Sequence, residues 1–210
     1  IFMQSIQTVS ENTIYVGASD RRLAKFENLF PIPRGVSYNA YVILDEKTAL
    51  LDTADASVGA QFLENVAAAL DGRKLDYLIV DHMEPDHAAM IEAVLVRWPD
   101  LRLVVNAKTL PMLKMYFPTD SAAIDDALVV KEGDTLDLGK HKLTFVMAPM
   151  VHWPEVMMTF DTTTGTLFSA DAFGAFGALE GALFADEVDF AGKWLDDARR
   201  YYANIVGKYG

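Results

Sequence analysis

The chain has 210 residues, 51 % of them hydrophobic, and its 18 basic against 30 acidic residues give a formal net charge of −12. That length supports one substantial core, and the charge repels phosphate backbones and anionic lipid, so neither nucleic acid nor a membrane is expected as a partner. With no cysteine, the chain itself forms no disulfide, zinc ribbon or thiolate-bound iron–sulfur cluster, and cytoplasmic localisation is the simplest expectation.

The first residues, "IFMQSIQ", lack the basic region and long apolar run of a secretory signal. Residues 38–44, "YNAYVIL", and 48–52, "TALLD", predict a hairpin across "DEK". Phe62, Val66 and Leu70 recur at helical spacing and predict a helix over 58–70. "YLIV" then has no polar face and suits a strand buried on both sides, and "LRLVV" repeats the pattern after a helix through "HAAMIEAVLVRW" that Asp86 would cap. "LPMLKMYF" predicts a short helix, "ALVV", "TLDLG" and "KLTFVM" strands, and "VMMTFD" with "TLFSAD" a second hairpin across "TTTG". The stretch "DAFGAFGALEGALFAD", interrupted by Glu180, falls short of the roughly 20 apolar residues of a membrane helix; its Gly-rich part reads as a connection or a mobile lid. A last helix runs through Trp194, Ala198, Tyr201, Tyr202 and Ile205. The order of elements predicts one domain of mixed α/β class with mixed sheets.

Four donors are packed into "VDHMEPDHAAM": His82, Glu84, Asp86 and His87. A strand projects residues i and i+2 to one side, so His82 and Glu84 face one point, while the turn into the helix offers Asp86 and His87 to a neighbouring point. This favours two metal ions over one. Two further donors, His152 in "PMVHWPE" and Asp171 in "LFSADAFG", also stand at strand ends, where sites of open α/β sheets gather. Asp86 alone reads first as a cap and a lone histidine as structural, but three of the chain's four histidines stand at these places. The fourth, His141, reads as a solvated turn residue. Three carboxylates and one bridging hydroxide would neutralise two divalent ions, which favours iron or manganese over zinc, although a hydroxide-bridged zinc pair satisfies the same charge balance. Trp153, Met147, Met150, Met157, Met158 and Phe173 flank these donors and are candidates for an apolar shell, though each alone reads as core packing.

The spacing H-x-E-x-D-H resembles the metallo-β-lactamase superfamily signature H-x-H-x-D-H, with Glu84 in place of its second histidine. Together with "HWPE" at 152–155, "LFSADAFG" at 167–174, "GVSYNAYVILDEKTALLDT" at 35–53 and the C-terminal "DFAGKWLDDARRYYANIVGKYG", the chain resembles the diiron domain of flavodiiron proteins over essentially its whole length. The resemblance implies an αββα sandwich of two mixed β-sheets flanked by helices. It implies two iron ions, one held by His82, Glu84 and His152, the other by Asp86 and His87, with Asp171 bridging; in some relatives the imidazole equivalent to His87 turns away. It further implies reduction of O2 to water or of NO to N2O, FMN carried by a C-terminal flavodoxin-like domain of the partner in a head-to-tail homodimer, and an electron donor such as rubredoxin. The family's final histidine ligand falls beyond Gly210, and no flavodoxin-like phosphate loop is found, so the resemblance implies a C-terminally truncated chain. In "KFENLFP" Glu27 stands where many relatives carry a histidine near the substrate pocket. Two other readings compete: a dinuclear zinc hydrolase of the same superfamily, disfavoured by Glu84, and a diiron oxygen sensor.

Overall fold

A computed structural model of the chain describes residues 5–118, 121–179 and 181–207. The N-terminal part is all strand: β1 (Gln7–Ser10), β2 (Thr13–Tyr15), β3 (Ala18–Asp20), β4 (Lys25–Phe26), β5 (Phe30–Pro31), β6 (Val36–Tyr38), β7 (Tyr41–Leu44) and β8 (Thr48–Leu51). Strands and helices then alternate through α1 (Gly59–Leu70), β9 (Tyr77–Ile79), α2 (Pro85–Ala88), α3 (Ile91–Arg97), β10 (Arg102–Asn106), α4 (Thr109–Tyr116), α5 (Ser121–Asp125) and β11 (Leu128–Val130). A meander of β12 (Thr135–Asp137), β13 (Lys142–Met147), β14 (Met157–Asp161) and β15 (Thr166–Phe168) follows, and the chain closes with α6 (Phe190–Lys193) and α7 (Leu195–Ile205).

Two sheets carry the molecule. Seven strands in the order β1-β2-β7-β8-β9-β10-β11 form a mixed sheet, antiparallel as far as β8 and parallel from β8 to β11. Parallel neighbours need crossovers, and α1, α3 and the α4–α5 pair supply them. The second sheet, β12-β13-β14-β15, is antiparallel throughout. The central strands are apolar on both faces because both are covered. Val42, Leu50, Leu78, Leu103 and Val105 pack with Phe62, Val66, Ile91 and Val94 of the helices, whereas Ile43, Leu51, Ile79 and Val104 meet Leu143, Phe145 and Met157 of the second sheet. Each fully buried side chain of this size contributes about 1.5–3 kcal/mol of transfer free energy. Among the described residues no helix is long and apolar enough to cross a membrane.

Several expectations are corrected. The first hairpin begins at Tyr41, because Val36–Tyr38 pair instead with Ala18–Asp20; Gly17 permits this, since a Cβ there would stand 2.0 Å from the Tyr38 carbonyl oxygen. The single helix expected after "EPD" breaks into α2 and α3. The His87 carbonyl, which would continue it, instead accepts from Thr53 N and Thr53 Oγ1, both at 2.7 Å. Asp86 is not the cap: Glu84 precedes Pro85, the first residue of α2, and makes no side-chain cap bond. His141 is not solvated. It is 2 % exposed, with Nδ1 2.7 Å from Asp161 Oδ2 and its amide donating to Asp45 Oδ2. The "FGAFG" segment is pinned by Phe176, which is buried against Phe26, Phe30 and Tyr201, so it is a tethered connection; Glu180 lies outside the described residues.

Candidate metal centre

The site assembles where strands of both sheets end. His82 and Glu84 leave the C-terminal end of β9, Asp86 and His87 sit in α2, His152 lies in the β13–β14 connection and Asp171 follows β15. The structure brings all six sequence-derived donors together as two clusters that share one residue: His82, Glu84, His152 and Asp171 form the first, Asp86, His87 and Asp171 the second, with the donor atoms of each within 4.8 Å of one another. His87 is turned inward, its Nε2 2.8 Å from Asp171 Oδ1 and 3.8 Å from Asp86 Oδ2.

The geometry fits cations. In the first cluster Glu84 Oε2 lies 2.9 Å from His152 Nε2 and 3.3 Å from His82 Nε2, and Asp171 Oδ2 lies 3.2 and 3.5 Å from the same two nitrogens. Donors about 2.1 Å from a common ion stand about 3.0 Å apart at octahedral angles and about 3.4 Å apart at tetrahedral ones. The far nitrogens are taken: His82 Nδ1 is 2.7 Å from Glu155 Oε1, and His87 Nδ1 is 2.9 Å from Asp52 Oδ2. Carboxylates at Nδ1 fix the tautomer that leaves the Nε2 lone pair free for a metal. Asp171 Oδ2 and Asp86 Oδ1 are buried without a hydrogen-bond partner; the short contacts of Asp171 Oδ2 to the imidazoles lack hydrogen-bond direction, as expected when atoms aim at a common ion and not at each other.

The imidazoles and carboxylates of the cluster set one another's charge. Burial lowers the His152 imidazole, but Asp171 and Glu84 outweigh it and raise it to about 10. Burial pushes the Glu84 carboxyl up, yet the His152 and His82 rings hold it at about 2. Asp86 is carried up to about 6 by burial, opposed by His87 and reinforced by Asp171 and Glu84. Metal ions that took the place of protons on these groups would do so with proton release.

The flanking residues divide. Trp153 stands edge-on to His82 with ring centroids 5.3 Å apart, while Met157 is fully buried between the sheets. Phe173 turns outward at 70 % exposure and does not close over the donors. Glu27 stands at the rim near Glu84, and partial burial together with the Glu84 charge pushes its carboxyl up. A cavity of about 790 Å³ opens onto Asp86, His87 and Asp171, walled by Tyr38, Phe176 and Trp194 among others.

The family profile described as ODP family beta lactamase matches residues 36–203, a span that includes every one of these donors. The chain belongs to the ODP β-lactamase family. Its fold is that of flavodiiron proteins. The ODP-family chain superposes on rubredoxin oxygen:oxidoreductase from Desulfovibrio gigas with a TM-score of 0.90 at 32 % identity, covering 98 % of this chain and 50 % of that one. The flavodiiron protein from Giardia intestinalis gives 0.88 at 28 % identity, covering 98 % and 49 %. By sequence it is 38 % identical over 200 residues to a nitric oxide reductase of Moorella thermoacetica, covering 94 % of this chain and 49 % of the relative. The ODP-family chain thus spans about half the length of the curated relatives it matches.

Four residues of this ODP-family site were not singled out as donors' partners by the sequence reading. Glu155 and Asp52 hold His82 and His87; buried Asp81 gives its amide to Asp52 Oδ1 and accepts from Thr159 Oγ1; and Tyr201 donates its hydroxyl to Asp171 Oδ1 at 2.8 Å. Glu155 stands within the quoted "HWPE" and Asp52 ends the strand "TALLD", so acids at strand ends were the available signal. Tyr201 reads only as a helix-face core residue.

Proposed function

We propose that residues 1–210 form one metal-binding domain that holds two iron ions through His82, Glu84, Asp86, His87, His152 and Asp171. In this reading the protein reduces O2 to water or NO to N2O. The observation that carries the proposal is the donor set: two largely buried clusters sharing Asp171, with three carboxylates in all, one of which, Glu84, lies between His82 and His152. Oxygen-rich sites with imidazoles suit iron better than zinc. The nitric oxide reductase and rubredoxin oxygen:oxidoreductase relatives support the same chemistry.

The iron pair, when bound, supplies the redox chemistry by passing electrons to the gas. The chain's own residues do the rest. Glu155 and Asp52 orient His82 and His87, Tyr201 holds one oxygen of Asp171, and Trp153 walls off His82. The cavity beside Asp86 and His87 leaves room for a further ligand. The electrons come from FMN on a flavodoxin-like domain of the partner subunit in a head-to-tail homodimer, supplied by rubredoxin or a similar donor in the cytoplasm.

Iron titration into metal-free protein, read by elemental analysis, tests the first half: the four-donor cluster fills before the three-donor cluster, and iron is retained over zinc when both are offered. Anaerobic consumption of O2 and of NO, each supplied separately with a reduced flavin donor to the full-length iron protein, tests the second. Two zinc ions and no gas consumption would sink the reductase reading.

A further inference from the structure

The two clusters are backed by carboxylates of different kinds. Asp52 behind His87 uses both oxygens, Oδ2 toward the ring and Oδ1 for the Asp81 amide at 2.7 Å. Glu155 behind His82 places both of its bonds on one atom: Oε1 is 2.7 Å from His82 Nδ1 and 3.0 Å from the Met83 amide, while Oε2 is buried with no partner. Glu155 is 1 % exposed and His82 is 0 % exposed, so little solvent screens the carboxylate from the ring. His152, the other imidazole of this cluster, makes its described bonds through Nε2 alone.

A carboxylate bonded to the far side of an imidazole makes the near nitrogen a stronger donor, and a stronger donor favours the more oxidised metal. A purely structural acceptor could satisfy His82 and Met83 with one neutral oxygen. With its second oxygen buried and unpartnered, the carboxylate meets hydrogen-bond donors only at the His82 ring and the Met83 amide.

We propose that Glu155 is a positioning residue that acts through His82 to make the two metal positions inequivalent, holding the His82/Glu84/His152 position as the harder of the two to reduce. This rests on the iron reading above. Electrons would then enter first at the Asp86/His87 position, on the side that faces the large cavity.

The test is Glu155→Gln in the full-length iron protein. The amide oxygen can keep both hydrogen bonds, while the amide nitrogen takes the place of Oε2, so the charge is lost and an unpaired NH2 group is buried in its stead. Redox titration followed by electron paramagnetic resonance of the half-reduced pair should show the variant's midpoint raised. At the wild-type midpoint the variant should be at least about tenfold more reduced, a shift of about 59 mV for a one-electron couple. A full iron content with an unchanged midpoint would overturn the Glu155 role and leave the iron reading intact; a wild-type protein that binds no redox-active pair would overturn both. If Glu155→Gln does not fold, nitrogen-15 histidine spectra of the wild-type protein loaded with zinc decide the matter. An exchange-protected Nδ1 proton on His82 is expected, and a ring protonated elsewhere overturns the assignment.

Discussion

Asp171 is the residue on which the two clusters converge, because each takes one of its oxygens: Oδ2 faces His82 and His152, and Oδ1 faces His87 and Tyr201. Asp171→Ala should therefore abolish binding at both positions, whereas His152→Ala should spare the Asp86/His87 position; elemental analysis of the two variants, prepared side by side, checks this. Two retained metals in Asp171→Ala would show that the clusters are independent. Gly174 is the small residue that lets Tyr201 approach. A Cβ there would lie 2.7 Å from Tyr201 Cε1 and 3.2 Å from the Asp171 carbonyl oxygen. Gly174→Ala should cost about 1–3 kcal/mol by overpacking, and less in a Tyr201→Leu background, a coupling that denaturant midpoints of the double-mutant cycle measure.

At the level of elements, the β13–β14 hairpin carries a third buried histidine–carboxylate pair, His141 with Asp161, that lies outside the candidate metal centre. Burial raises the Asp161 carboxyl, but hydrogen bonds from Thr164, His141 and the Thr163 amide outweigh it and hold it below the ordinary range. A carboxyl lowered on folding adds stability that is present above its unfolded value, near 4, and is lost as pH falls through the folded value. Asp161→Asn should consequently flatten the acid side of the stability profile: the wild type's advantage, about 1–3 kcal/mol at pH 6, shrinks between about pH 4 and pH 2. Urea unfolding of both proteins across that range reads it directly, and a constant difference would remove the pair from the account. The same element explains why His141 was misplaced by sequence. A polar residue beside Gly139-Lys140 looks exposed until the turn folds back on Asp45 and the strand brings Asp161 alongside.

The whole molecule is a two-sheet sandwich whose strand ends supply an acidic, buried cluster, on a chain whose formal charge is already −12. Cations that bind the folded state alone add stability by mass action, about 4 kcal/mol at a thousandfold excess over the dissociation constant. Chelation should accordingly lower the melting temperature by about 10 °C for a domain of this size. Calorimetry before and after metal removal measures it, and an unchanged transition would mean that the centre is not filled in the folded protein.

The sequence by itself determined the apolar strands, since runs such as "YLIV" and "LRLVV" have no polar face and need cover on both sides. It also picked out six candidate donors, because H-x-E-x-D-H with His152 and Asp171 at later strand ends is a local chemical pattern, and the fold brings these six side chains together. Only the tertiary structure decided how those donors are held. Glu155 reaches His82 across 73 positions, Asp52 reaches His87 across 35, and Tyr201 reaches Asp171 across 30. Such partnerships depend on which strand end lies beside which in the sheet, a relation fixed by long-range packing and not by the spacing of residues along the chain. For the same reason the break between α2 and α3 is invisible locally: it arises when Thr53, from the end of a neighbouring strand, takes the His87 carbonyl that a continuous helix would use.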